Sequence, residues 1–152
     1  MNLNGVASAF LNGWQLNSIF TWQSGFPFGV GSGRDNSFSG VNGDRGDYLG
    51  GGSAELSSDR PRGEQVLQWF DTSKFTVNAL GTFGNSGRNI LRGPKYMTTD
   101  FGLLKSTLVK EGLSVQFRAE FFNLFNNVNF RLPNSTISSA QVGRITAVVD
   151  DN

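Results

Sequence analysis

The chain has 152 residues, a formal charge of +1, no Cys and no His. Without thiols or imidazoles there is no disulfide framework, no thiolate or imidazole metal site, and no Ser-His-Asp or Cys-His catalysis; a near-neutral chain also gives no reason to expect nucleic acid as a partner. Yet 19 residues are aromatic in a chain only 38% hydrophobic, so many rings face something other than an aliphatic core.

The first ten residues (MNLNGVASAF) carry no basic stretch and no apolar run of signal-peptide length. Nowhere do enough apolar residues run together for a transmembrane helix. The expectation is either a cytoplasmic protein or a chain whose start is not the natural start.

Residues 13–32 are predicted as a strand. From Gly13 to Ser24 the even positions read Trp14, Leu16, Ser18, Phe20, Trp22, and the odd ones Gln15, Asn17, Ile19, Thr21, Gln23. Such period-two alternation gives one apolar and one polar face, broken once on each by Ser18 and Ile19. A half-buried strand in a soluble sheet would look similar. The Trp spacing favours a membrane: eight residues span about 27 Å of strand, or roughly 20 Å of height at a tilt of about 40°, close to the apolar band of a membrane barrel.

Alternation then vanishes over 33–94, predicted as one long loop rich in Gly, Asn, Asp, Ser and Arg. Loops this long are uncommon in compact domains and are usually functional or disordered. Its acidic and basic residues balance, which suits a solvated, glycine-hinged loop. EQVLQWF (64–70) could form one or two helical turns, with Val66, Leu67, Trp69 and Phe70 as anchors.

Regular pattern returns over 95–108, a second strand with Met97, Thr99, Phe101 and Leu103 on one face and Thr98, Asp100 and Gly102 on the other. A tight turn over 109–112 follows, and 113–126 reads as a third strand. There Val115, Phe117 and Phe121 share one face and Gln116, Arg118 and Glu120 the other. Phe117, Phe121, Leu124, Phe125 and Val128 also fit a helical stripe. The β-prone residues at the start of the segment, its ionic face and the Asn run at 123–129 favour the strand.

No motif carries catalytic chemistry. Arg45-Gly46-Asp47 is a triplet that chance produces in such a loop, and Asn134-Ser135-Thr136 has the form of a glycosylation sequon but reads as loop polarity. The Asp35-Asn36 and 42–47 clusters lack the ligand spacing of a calcium loop, and no phosphate-binding loop is present. Asp100 and Glu120 could approach as a general acid/base pair, but Arg118 on the same face favours an ion-paired wall. No enzyme activity, cofactor or metal is expected.

The strings GWQLNSIFTWQSGFPF (13–28), RDNSFSGVNGDR (34–45), TFGNSGRNILRGP (82–94), QFRAEFFNLFNNVNF (116–130) and VGRIT (142–146) occur in that order. Together they resemble the C-terminal part of TonB-dependent outer-membrane receptors of the Oar-like type, over nearly the whole chain. The resemblance implies an all-β fold: a fragment of an antiparallel transmembrane β-barrel, about three to four strands of a large barrel, with a long extracellular loop. It makes 109–112 a periplasmic turn and 127–152 a loop after which the family's closing strand is missing. Trp14, Leu16, Phe20, Trp22, Phe101, Leu103, Val115, Phe117 and Phe121 would face lipid. Gln15, Asn17, Asp100, Gln116, Arg118 and Glu120 would face the lumen. The implied partners are outer-membrane lipid, the rest of the barrel and its plug, and a TonB complex reached through the missing N-terminal part. The parent would take up an unidentified ligand, any contact here coming from the loop over 34–62. A secreted soluble β-sandwich (an adhesin or carbohydrate-binding module) is the rival reading, and a passive porin a third.

Overall fold

The alternating segments pair into one three-stranded sheet. The computed structural model describes residues 11–41 and 43–149. In chain order the strands are β1 (Trp14–Gln23), four two-residue strands β2 (Pro27–Phe28), β3 (Asp47–Tyr48), β4 (Phe75–Thr76) and β5 (Leu91–Arg92), then β6 (Tyr96–Lys110) and β7 (Leu113–Phe121). One six-residue helix, α1 (Arg62–Leu67), interrupts the long connection. The large sheet runs β1-β6-β7; β2 pairs with β5, and β3 with β4. Among the described residues the chain divides into a sheet unit, built on β1, β6 and β7, and a loop-rich unit formed by 23–96 and 128–149.

In the sheet unit β6 and β7 form an antiparallel hairpin, from Phe101 opposite Phe121 down to Lys110 opposite Leu113, with an irregularity between Leu108 and Lys110. The strands run past the predicted turn at Val109, leaving only Glu111 and Gly112 to reverse the chain. Gly112 sits at φ +76°, a left-handed conformation that glycine adopts without a Cβ penalty. The tight turn lies at one end of the sheet, and the long connection leaves from the other.

Two predicted strands are shorter than their pattern suggested. The first ends at Gln23, not at residue 32, because Ser24 and Gly25 leave the sheet for the loop-rich unit. The third ends at Phe121, not at 126. Asn123 and Asn126 adopt φ +47° and +49°, and Asn123 exchanges hydrogen bonds with Asn127. That Asn-based turn also prevents the helix that the apolar stripe allowed, since left-handed residues break its repeat.

The predicted loop over 33–94 is not merely solvated chain. Phe28, Val30, Ala54, Phe70, Phe75 and Leu91 form a buried cluster, with Tyr48, Trp69, Ile137 and Val142 packed against it. Phe70 is its centre: its ring lies 5.9 Å from Phe28 and 5.8 Å from Phe75, both edge-on. Residues 127–152, predicted as a separate loop, contribute to this unit as far as they are described. Gly31 donates to the Ser135 carbonyl, Ile137 to Gly31, Trp69 to Gly143 and Ile145 to Val66. Gly84 shows what the high glycine content permits: at φ +76°, a Cβ there would fall 2.0 Å from the Arg45 carbonyl oxygen.

Candidate functional site

Strand pairing sorts the predicted site residues onto two faces. Across the hairpin Phe101 faces Phe121, Leu103 faces Ala119, Lys105 faces Phe117 and Thr107 faces Val115; between them Gly102 faces Glu120, Leu104 faces Arg118 and Ser106 faces Gln116. Asn17 meets Gly102, where an added Cβ would lie 3.7 Å from the Asn17 Cβ. Trp14 meets Lys105, whose Nζ lies 5.4 Å from the indole centroid. These two approaches fix β1 antiparallel to β6 and align their faces.

One face therefore collects Trp14, Leu16, Phe20, Trp22, Phe101, Leu103, Val115, Phe117 and Phe121. The other collects Gln15, Asn17, Asp100, Gln116, Arg118 and Glu120. The ring contact between Phe101 and Phe121, 6.3 Å between centroids, stitches the first face across the hairpin. Trp14 and Trp22 are 47% and 60% exposed, so among the described residues no second layer covers this face as a β-sandwich would require.

Each face has exceptions. Ile19, Leu104 and Leu108 lie on the polar side, and Ser18, Thr107 and Lys105 on the apolar one. Lys105 is accommodated locally: its ammonium donates to the Asn12 carbonyl and lies over the Trp14 ring, while its aliphatic stem covers apolar surface.

The ion-paired wall takes a different form from the one predicted. Arg118 pairs along its own strand with Glu120 at 3.8 Å, both side chains more than half exposed, so the pair adds little stability. Asp100 instead accepts the Asn123 amide at 2.9 Å, and its carbonyl accepts the Ser18 hydroxyl at 3.1 Å. A carboxylate expected to face Arg118 thus holds the turn that ends β7.

In the loop-rich unit two acidic residues of the predicted contact region, Asp35 and Asp44, are engaged internally. Asp35 accepts the amides of Ser39 and Gly40 at 3.0 and 2.9 Å. Asp44, buried, accepts the Ser37 hydroxyl and amide, each at 2.7 Å, and the Asn78 side-chain amide at 3.1 Å. The Ser37 hydroxyl is the main cause that holds the Asp44 carboxyl below its ordinary 3.8, against the opposing effect of burial. Among the described residues no cluster of three or more His, Cys, Asp or Glu side chains forms that could hold a metal ion.

The same unit contains a cavity of about 280 Å³ between the 55–60 turn, α1 and β5, lined by Glu55, Ser58, Arg60, Gln65, Trp69 and Arg92 among others. Gln65, Trp69 and Arg92 lie outside the stretch that sequence reasoning offered for ligand contact. For Gln65 and Trp69 the advance signal was the isolated apolar-aromatic string at 64–70, which supplies most of α1 and the Trp69 that follows it; Arg92 carried no such signal.

A family model described as an outer membrane beta barrel domain matches residues 1–152, the full length of the chain. No curated protein and no solved structure matches it.

Proposed function

This chain belongs to the family of outer membrane β-barrel domains, and on that premise we propose that it supplies barrel wall and extracellular surface to a TonB-dependent transporter of the Oar-like type. Its location is the bacterial outer membrane. The observation that carries the reading is the sorted sheet, with an aromatic-rich face, a polar face, a two-residue turn at one end and a folded connection of some 70 residues leaving the other. Short periplasmic turns and long extracellular connections are the asymmetry of bacterial outer-membrane barrels.

In this reading the nine apolar-face residues meet lipid and the six polar-face residues line the lumen. β1 and β7, the sheet's edges among the described residues, continue into further strands of the same barrel, since lipid leaves no partner for edge amides. The loop-rich unit faces outward and contacts the ligand. A plug and a TonB partner, contacted by another part of the protein, energise uptake, and this segment performs no catalysis.

The test is genetic. Removing this protein's gene and removing the TonB gene should abolish depletion of the same solute from defined medium, followed by mass spectrometry, and the double deletion should be no worse than either single one. A solute whose uptake needs this protein but not TonB would make it a passive porin.

A further inference from the structure

We propose that the cavity between the 55–60 turn, α1 and β5 binds one ring of a neutral saccharide or a similar polyol. The proposal rests on the outward placement of the loop-rich unit and names the class of ligand that this unit takes.

Three features of the cavity point to this class. The first is a fixed aromatic surface: the Trp69 indole N–H donates to the Arg92 carbonyl at 2.7 Å, and its ring packs against the buried cluster, so the platform is ordered before any ligand arrives. The second is a mixed set of hydrogen-bonding groups. Gln65 spends its amide nitrogen on the carbonyls of Ser58 and Arg60, which leaves its carbonyl oxygen as an acceptor. Arg60 uses its Nε and one Nη on the carbonyls of Ser57 and Gln68, keeping its other Nη as a donor. The Ser58 hydroxyl and the Glu55 carboxylate complete the set. A hydroxyl is both donor and acceptor, so a ring bearing several of them suits donors and acceptors interleaved around an aromatic plane.

The third feature is size and charge. Ligand pockets usually occupy about 300 to 1,000 Å³, so a cavity of about 280 Å³ admits one ring and not an extended chain. Two guanidinium groups and one carboxylate line it. Both guanidinium groups already donate to backbone carbonyls, Arg60 through Nε and one Nη and Arg92 through one Nη to Gly25 at 3.3 Å, so their remaining N–H groups serve as donors to ligand hydroxyls, and the Glu55 carboxylate on the same wall disfavours an anion.

The experiment uses the outer-membrane protein purified in detergent, with glucose, galactose, N-acetylglucosamine and cellobiose as probes in saturation-transfer NMR and calorimetry. At least one probe should bind at millimolar concentration. Trp69→Ala should weaken it by about tenfold, or about 1.4 kcal/mol, and Trp69→Phe by much less. Because Trp69 also packs on the core, Glu55→Ala is the companion variant: its side chain is exposed, and its loss should weaken the same probe without unfolding the unit. Binding by none of the four sugars, or binding indifferent to both Trp69→Ala and Glu55→Ala, would overturn the proposal. No energy source or TonB partner enters this assay, so its failure leaves the transporter reading standing, and failure of TonB-dependent uptake leaves the sugar site standing.

Discussion

Two edge-on ring contacts converge on Phe70, which is 1% exposed, and the aromatic cluster of the loop-rich unit is organised around it. Phe70→Ala should therefore cost this unit about 3 to 5 kcal/mol, the range for emptying a buried Phe site. Limited proteolysis should then cut within 33–94 at protease levels that leave the parent protein intact. Asp44 makes the same unit sensitive to acid. Its folded value is depressed below the ordinary 3.8, so its contribution is complete well above that value and is lost as pH falls through the folded value. The protection of the Ser37 amide against hydrogen exchange, taken relative to its intrinsic rate at each pH, should fall as the pH is taken from neutral to below 3.8. In Asp44→Asn, which loses the charge at every pH, the protection should be weaker throughout and free of that acid step. Gly84, where a Cβ would meet the Arg45 carbonyl, tolerates no side chain without a backbone shift. Phe70 was legible only as an anchor of the 64–70 string; neither its ring partners nor the bonds of Asp44 could be placed from sequence alone. Phe28, Phe70 and Phe75 meet across separations with no period, and Asp44 and Asn78 are 34 residues apart.

The strands, by contrast, were legible because a strand writes its two faces into alternate residues. The nine apolar and six polar positions predicted for two opposite faces fall on two opposite faces, down to Asp100 and Arg118 on the same side. Where the strands end was not legible. The alternation continues in the sequence past Gln23, while past Phe121 it gives way to Phe122 and the Asn run; glycine close approaches at the first end and left-handed Asn residues at the second remove the chain from the sheet. The short helix α1 could be glimpsed in EQVLQWF, whereas the four two-residue strands are too short to carry a pattern. A substitution pair tests the faces as elements. Phe20→Arg, near the middle of the apolar face, should cost about 2 to 4 kcal/mol of folding into lipid vesicles, as a charge on the lipid side near the midplane does. Thr21→Arg, one residue on and on the opposite face, should cost little. Both are read from the denaturant midpoint of the heat-modifiable gel shift.

At the scale of the molecule, a low hydrophobic fraction and a high aromatic count stop being contradictory. A barrel wall turns its rings outward and keeps its interior wet, so it needs no aliphatic core within the sheet; the buried core of this chain lies in the loop-rich unit. The central claim is that the face holding Trp14, Leu16, Phe20 and Trp22 meets lipid while the face holding Gln15 and Asn17 meets water. Because the chain has no Cys, single cysteines placed in turn over 14–23 can each carry a nitroxide spin label, and collision with oxygen or with a water-soluble nickel chelate reports what surrounds each site. In the reconstituted protein the profile should have a period of two, with oxygen dominating at 14, 16, 20 and 22 and nickel at 15, 17, 21 and 23. A flat profile, or one with the opposite phase, would contradict the claim.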